Sequence, residues 1–267
     1  MTEESELFSQ LGRISVATDL AGCEAALIDL ARREFDPQSI VVARFQSQHV
    51  PTSLIRWIPD PRARRSFDED YLTFGFLFDP FALKAERETG MSAYRIFEIA
   101  PDRFETSEYF RKYYNECRMI DEVGALHRVN ADTVVHWSLG RVKGFPKYTR
   151  GDVRKFKSLC HAIMPKLAQL ASVDVPDRQA PPSSGTLAEI YRSLSTDPQT
   201  RLSQREADVA ALITQGHSSH SIAVNLGLSI HTVKVHRRNI YKKLSISSQN
   251  ELFGLAMPKL ASFQRRT

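Results

Sequence analysis

The stretch Ser229-Ile-His-Thr-Val-Lys-Val-His-Arg-Arg-Asn-Ile-Tyr-Lys-Lys-Leu244 decides how the rest of this 267-residue chain is read. At about 100° per residue it is a helix with two unlike faces. Val233, Ile240 and Leu244 fall on one side, with His236 at their edge. His231, Lys234, Val235, Arg238, Tyr241 and Lys242 fall on the other. The first side suits burial in a small core. The second offers cations, a hydroxyl and one short apolar group, a set that fits the major groove of double-stranded DNA, where phosphate contacts fix position and base edges carry sequence.

Working outward, the flanking residues supply start and stop signals. Ser203-Gln-Arg-Glu206 is a capping box, and the helix it opens carries Val209, Leu212 and Ile213 on one side and stops at Gly216. Ser218 caps a short helix with Ile222, Ala223 and Leu226 apolar, ended by Gly227, and Ser229 caps the quoted helix. Two short helices joined by a tight Gly-containing turn, the second one basic, predict a helix-turn-helix. A fourth helix over Ser248–Met257 completes its core. Charge agrees: residues 201–267 hold 10 Lys and Arg against 3 Asp and Glu, a balance of +7 within a chain whose net charge is +5. The polyanion footprint therefore lies in the last quarter.

Leu202-Ser-Gln-Arg-Glu-Ala-Asp-Val209, Gly216, Ile222-Ala223, Leu226-Gly-Leu-Ser229, Thr232-Val-Lys-Val-His236 and Ile240-Tyr-Lys-Lys-Leu244 together resemble the LuxR-type helix-turn-helix, from about residue 200 to 260. The resemblance implies base reading by Lys234, Val235 and Arg238. It leaves His231, Thr232, Tyr241, Lys242 and Lys243 to phosphates and Glu206 to a structural role. Lys234 or Arg238 can donate to guanine, and Val235 can meet a thymine methyl. One departure is Ser219-His220-Ser221, where many members carry Asn-Lys-Glu; it touches the positioning helix and leaves the reading helix intact.

Ahead of this unit the periods change. A helix is predicted over Asp19–Phe35, with Leu20, Cys23, Leu27, Leu30 and Ala31 apolar and Asp36-Pro37 ending it. Ser39–Phe45 and Ser53–Ile58 read as strands, as do Asp121–Arg128 and Thr133–Leu139 around an Asn130-Ala-Asp132 turn. Between the pairs lie an aromatic run, Tyr71–Phe81, and a helix over Glu105–Cys117 with Ser107 as its cap. Arg150–Ala171 is an amphipathic helix that Pro165 is expected to kink or divide. This order predicts an α+β domain, an antiparallel sheet flanked by helices, of the kind seen in PAS- and GAF-like sensors. The expected organisation is a sensor domain at 1–172, a Pro/Ser-rich linker at 173–198 and an all-α four-helix DNA-binding domain at 199–267.

No HExxH, GxSxG, P-loop or GxGxxG spacing occurs, so an enzyme is not expected. The strands argue against a sigma-factor-like protein, and the missing βα repeat against a phosphoreceiver. The three cysteines, Cys23, Cys117 and Cys160, lie far apart without metal-ligand spacing. No metal or cofactor is expected, and free thiols, an acidic N-terminus and the lack of a membrane-length apolar run point to the cytoplasm. Trp57, Tyr71, Phe74, Phe76, Phe78, Asp79, Tyr94, Tyr113 and Trp137 are candidates for the lining of a ligand pocket. Members of the resembled group that bind acyl-homoserine lactones carry Trp-x-x-x-Tyr followed by Asp-Pro. Here Phe67-x-x-x-Tyr71 precedes Asp79-Pro80, without the Trp that would hydrogen-bond the lactone. The expectation is a regulator that binds operator DNA as a homodimer and answers to a small effector, with RNA polymerase a further partner and no membrane association. The alternatives are a lactone receptor and a ligand-independent regulator that uses its N-terminal domain only to dimerise.

Overall fold

Strand alternation determines the N-terminal layers. In the computed structural model, which describes residues 3–47, 49–173 and 187–264, α1 (Glu3–Val16) and α2 (Leu20–Phe35) lead into β1 (Ser39–Gln46) and β2 (Thr52–Trp57). Next come α3 (Pro61–Ser66), α4 (Pro80–Ala85), β3 (Met91–Arg95), α5 (Ile96–Ile99), β4 (Met119–Arg128), β5 (Thr133–Val142) and α6 (Arg150–Val173). The five strands form one antiparallel sheet in the order β2-β1-β5-β4-β3. The expected 174–186 part of the linker lies outside the described residues.

Residues of even and odd number on β5 part company. Val135, Trp137 and Leu139 point to the core under α1, α2 and α6, with Ile40 and Val42 of β1 and Val123 and Ala125 of β4. There Trp137 meets Phe156 of α6 at 4.9 Å between ring centroids. Val134 and Leu126 face the opposite side, with Ala43 and Phe45. Because both faces are covered, β5 is buried along nearly its whole length.

Local chemistry sets the element ends. The Asp19 side chain accepts from Gly22 N–H at 2.6 Å to start α2, and Asp36 in the left-handed region closes it. Helix α6 runs on through Pro165 as one element, so the expected division does not occur. The aromatic run becomes short turns: π-helical at Phe67–Tyr71, 3-10 at Gly75–Phe78, then α4 behind Asp79. The stretch Phe110–Asn115 is π-helical, behind a Ser107 hydroxyl that accepts from Phe110 N–H at 3.1 Å. Helix α1 and strand β3 had no clear period in the sequence.

The C-terminal unit is helical throughout: α7 (Leu187–Arg192), α8 (Gln204–Gln215), α9 (Ser219–Leu226), α10 (Ile230–Leu244) and α11 (Gln249–Gln264). Tyr191, Val209, Ile213, Ile222, Val233, Ile240 and Leu252 form its buried centre. The architecture is therefore an α+β unit joined to an all-α helix-turn-helix unit.

Candidate nucleic-acid interface and internal cavity

Helix α10 is held by its apolar stripe. Val233 and Ile240 are fully buried, while His231, Lys234, Arg238 and Lys242 are exposed and Thr232, Val235 and Tyr241 half-buried. Its start is fixed by the Ser229 hydroxyl, which accepts from Thr232 N–H at 3.0 Å and lies 2.8 Å from the Thr232 hydroxyl. Helix α9 begins in the same way, with Ser218 accepting from Ser221 N–H at 3.1 Å. Both serines thereby stabilise N-terminal N–H groups that have no partner within the helix.

The assignment of Lys243 to phosphate needs correction. Its ammonium lies 2.6 Å from Glu206 Oε2 and donates to Arg201 carbonyl at 3.3 Å. Glu206 in turn accepts from Ser203 N–H at 2.8 Å, completing the capping box. Burial tends to raise the Glu206 pKa, but the Lys243 and Ser203 hydrogen bonds outweigh it and hold the carboxyl below the usual range. Lys243 therefore ties α10 to the start of α8, a role that its charge alone did not reveal.

The second feature lies inside the α+β unit. A cavity of about 200 Å³ opens between the sheet and the aromatic turns. Of the candidates named from sequence, Tyr71, Asp79 and Tyr113 line it. Phe74 and Phe78, again with Tyr113, border a separate cleft of about 150 Å³ against Phe253 and Met257 of α11. Phe76 and Tyr94 pack elsewhere in that half of the core, Tyr94 donating to Glu88 at 3.4 Å. Trp57 and Trp137 are misplaced by the sequence reading: both belong to the layer on the other face of the sheet. A one-residue step along a strand reverses the side chain, so Trp137 turns away while its neighbours His136 and Ser138 enter the cavity wall.

Further residues complete the wall: Phe67, Tyr109, Tyr114, Glu122, His136 and Ser138 among them. The Tyr71 hydroxyl donates to Asp79 Oδ2 at 2.6 Å, and Phe81 N–H donates to Asp79 Oδ1 at 2.9 Å. The Tyr114 hydroxyl donates to Glu122 Oε2 at 2.7 Å, and that of Tyr113 to Ser66 carbonyl at 2.6 Å. Burial dominates the ionisation of both acids, pushing Asp79 up to about 6 and Glu122 to about 8. Nearby Asp79 raises Glu122 further, so the two titrate as a pair. His136 is driven down to about 4 by burial and stays neutral. Its Nδ1 lies 3.1 Å from Ala125 carbonyl; since a carbonyl only accepts, Nδ1 carries the hydrogen and Nε2 is an acceptor.

Comparison with known proteins bears first on the helical unit. Residues 200–256 match the family described as bacterial regulatory proteins, luxR family. The chain carries a LuxR-family helix-turn-helix domain. The putative HTH-type transcriptional regulator in the exeN 3' region of Aeromonas salmonicida is 27% identical over 186 residues, covering 68% of this chain and 94% of that relative. The oxygen regulatory protein NreC of Staphylococcus epidermidis is 39% identical over 67 residues, which span 25% of this chain and 31% of NreC. In fold, the LBD domain of VqsR from Pseudomonas aeruginosa aligns with TM-score 0.50 and 20% identity, over 61% of this chain and 96% of that one. Among the described residues no group of acidic, His or Cys side chains is placed to hold a metal, and no helix is long and apolar enough to cross a membrane.

The LuxR-family domain is docked on the α+β unit through the far end of α8 and through α11. Gly216 carbonyl accepts from Arg103 N–H at 2.9 Å, Asp102 Oδ1 accepts from Ser218 N–H at 2.9 Å, and the Gln215 amide donates to Leu77 carbonyl at 3.1 Å. Phe253 of α11 packs on Phe78 at 5.2 Å between centroids. Gly216 is needed twice here: its φ of +99° closes α8, and a Cβ would sit 3.3 Å from Arg103 carbonyl oxygen and Phe104 Cα. The seam leaves the exposed cations of α10 open.

Proposed function

We propose that this LuxR-family regulator reads a two-fold symmetric operator as a homodimer. In this reading Lys234, Val235 and Arg238 face base edges, and His231, Thr232, Tyr241 and Lys242 contact phosphates. The supporting observation is the exposed cationic face of α10, fixed by buried Val233 and Ile240 and by the Ser229 cap. Paired half-sites fit the family's helix-turn-helix because two-fold protein symmetry is mirrored in the operator. Domain limits of 1–172, 173–198 and 199–267 go with this proposal.

The N-terminal domain is proposed to sense a small molecule held in the cavity beside Tyr71, Asp79 and Glu122, and to pass its occupancy to the helix-turn-helix. The wall supports this: Tyr109 borders both the cavity and the cleft against α11, and Phe78 in that cleft touches Phe253. A lactone ligand is the second reading, favoured by Tyr71 and Asp79 standing in the wall and disfavoured by Phe67, which has no hydrogen to donate. Selection of operator sequences from a random DNA pool by the full chain tests the first part. A two-fold consensus whose half-sites change with Arg238→Ala is expected; recovery of no consensus would overturn it. Operator affinity measured with and without an effector panel tests the second part, and an affinity indifferent to every bound effector would overturn it.

A further inference from the structure

The polar groups inside the cavity are unbalanced. Asp79 and Glu122 are its interior acids, and neither forms an ion pair among the described residues. Their partners are neutral: the Tyr71 hydroxyl and Phe81 N–H for Asp79, the Tyr114 and Ser138 hydroxyls for Glu122. The other acid close to Glu122, Asp121, is taken by Arg95 at 2.7 Å and by Tyr148 N–H at 2.9 Å. Arg118 and Asp60 also border the cavity, but both are exposed and stand at its rim, where Arg118 donates to Lys143 carbonyl at 3.4 Å. His136 adds a further acceptor in Nε2.

One more tyrosine borders the space. Tyr109 is 5% exposed and lines the cavity. The surrounding wall is aromatic. Tyr109 stacks on Tyr113 at 5.2 Å and Phe67 on Tyr71 at 5.1 Å, so ring faces and acceptors border the same space. Aromatic faces and carboxylates attract the same partner, a positive charge with N–H groups.

We propose that the cavity binds a compact organic cation, a protonated primary amine with an aromatic or short apolar body, whose ammonium is held by Glu122 and Asp79. This rests on the sensor reading above and names its ligand class. Size agrees: an apolar cavity of about 150 Å³ holds benzene, so about 200 Å³ takes one ring with a short arm. The ammonium donates to Glu122 Oε1, the oxygen not used by Tyr114, while the ring rests among Val41, Ile58, Phe67 and Met119. Binding draws Glu122 into its ionised form and releases its proton, so affinity rises with pH up to about 8, levels off, and falls where the amine itself titrates, about 10.

The test is calorimetry on the full chain with 2-phenylethylamine, its neutral analogue 2-phenylethanol and N-octanoyl homoserine lactone. The amine is expected to bind at least about tenfold tighter than the alcohol, a difference of about 1.4 kcal/mol. Glu122→Gln keeps the shape of the side chain and is expected to remove that preference, with the alcohol unaffected; circular dichroism checks that the variant is folded. Equal binding of amine and alcohol, or an amine preference that survives Glu122→Gln, overturns the proposal. If the lactone or alcohol binds and the amine does not, the cation assignment fails and the sensor reading stands. If no probe binds at millimolar concentration, both fall.

Discussion

At the scale of single residues, two lysines one position apart do different work. Lys242 is exposed on the proposed reading side of α10, whereas Lys243 is spent on Glu206. Lys242→Met is expected to lower the slope of log affinity against log salt by about 1, with little change in stability. Lys243→Met is expected to lower stability by about 1 kcal/mol in urea denaturation, because Glu206 loses a charged partner, and to leave the salt slope alone. Lys234→Ala and Arg238→Ala should each weaken specific operator binding by about 1–3 kcal/mol while nonspecific binding falls less. Glu122 carries a pH signature. Its folded-state pKa, about 8, lies above that of an unfolded glutamate, so the native state holds a proton that the unfolded chain has already lost. Stability of the ligand-free protein should therefore fall as pH rises from about 4.5 to 8, and Asp79, raised to about 6, adds to the lower part of that fall. Denaturation midpoints at pH 5, 6.5 and 8 would check it, and Glu122→Gln should flatten the slope.

At the scale of elements, caps and turns account for how well the helix-turn-helix could be anticipated. Ser203, Ser218 and Ser229 each bond an N–H three residues on, at 3.3, 3.1 and 3.0 Å, so each start signal is contained within four residues. Ser203→Ala should lower stability by about 1 kcal/mol. Strands β1, β2, β4 and β5 were legible as strands but not as faces. In Thr133–Leu139, Val135, Trp137 and Leu139 alternate with His136 and Ser138, but both sides of β5 are buried, so the alternation does not say which side faces a cavity. That is why Trp137 was taken for the pocket and His136 and Ser138 were not. The π-helical turns at Phe67–Tyr71 and Phe110–Asn115 obey neither the 3.6 nor the 2.0 period, which left neighbouring Tyr109 without an assigned direction.

At the scale of the whole molecule, the seam between the units is the structural link that a ligand signal would use. Both tryptophans, Trp57 and Trp137, lie in the N-terminal unit, so their fluorescence reports on it alone. With Phe253 4% exposed and seated on Phe78, the two units are expected to unfold in one transition, seen together by tryptophan fluorescence and by helical circular dichroism. Phe253→Ala should remove about 3–5 kcal/mol and separate the two signals. Gly216→Ala should act at the same place, through the left-handed φ and the approach to Arg103 carbonyl.

What the sequence determined by itself was the helical unit: its helices, their caps, and the shared face of α10 on which the proposed base-reading residues Lys234, Val235 and Arg238 stand. Those signals are local, each complete within one or two turns of chain. The cavity was decided by tertiary structure alone. Asp79 and Glu122 are 43 residues apart and share a wall only because strand register turns Glu122 inward and an aromatic turn carries Asp79 across the sheet. The seam at Gly216 and Phe253 likewise depends on contacts between distant segments, for which a single sequence contains no period to read.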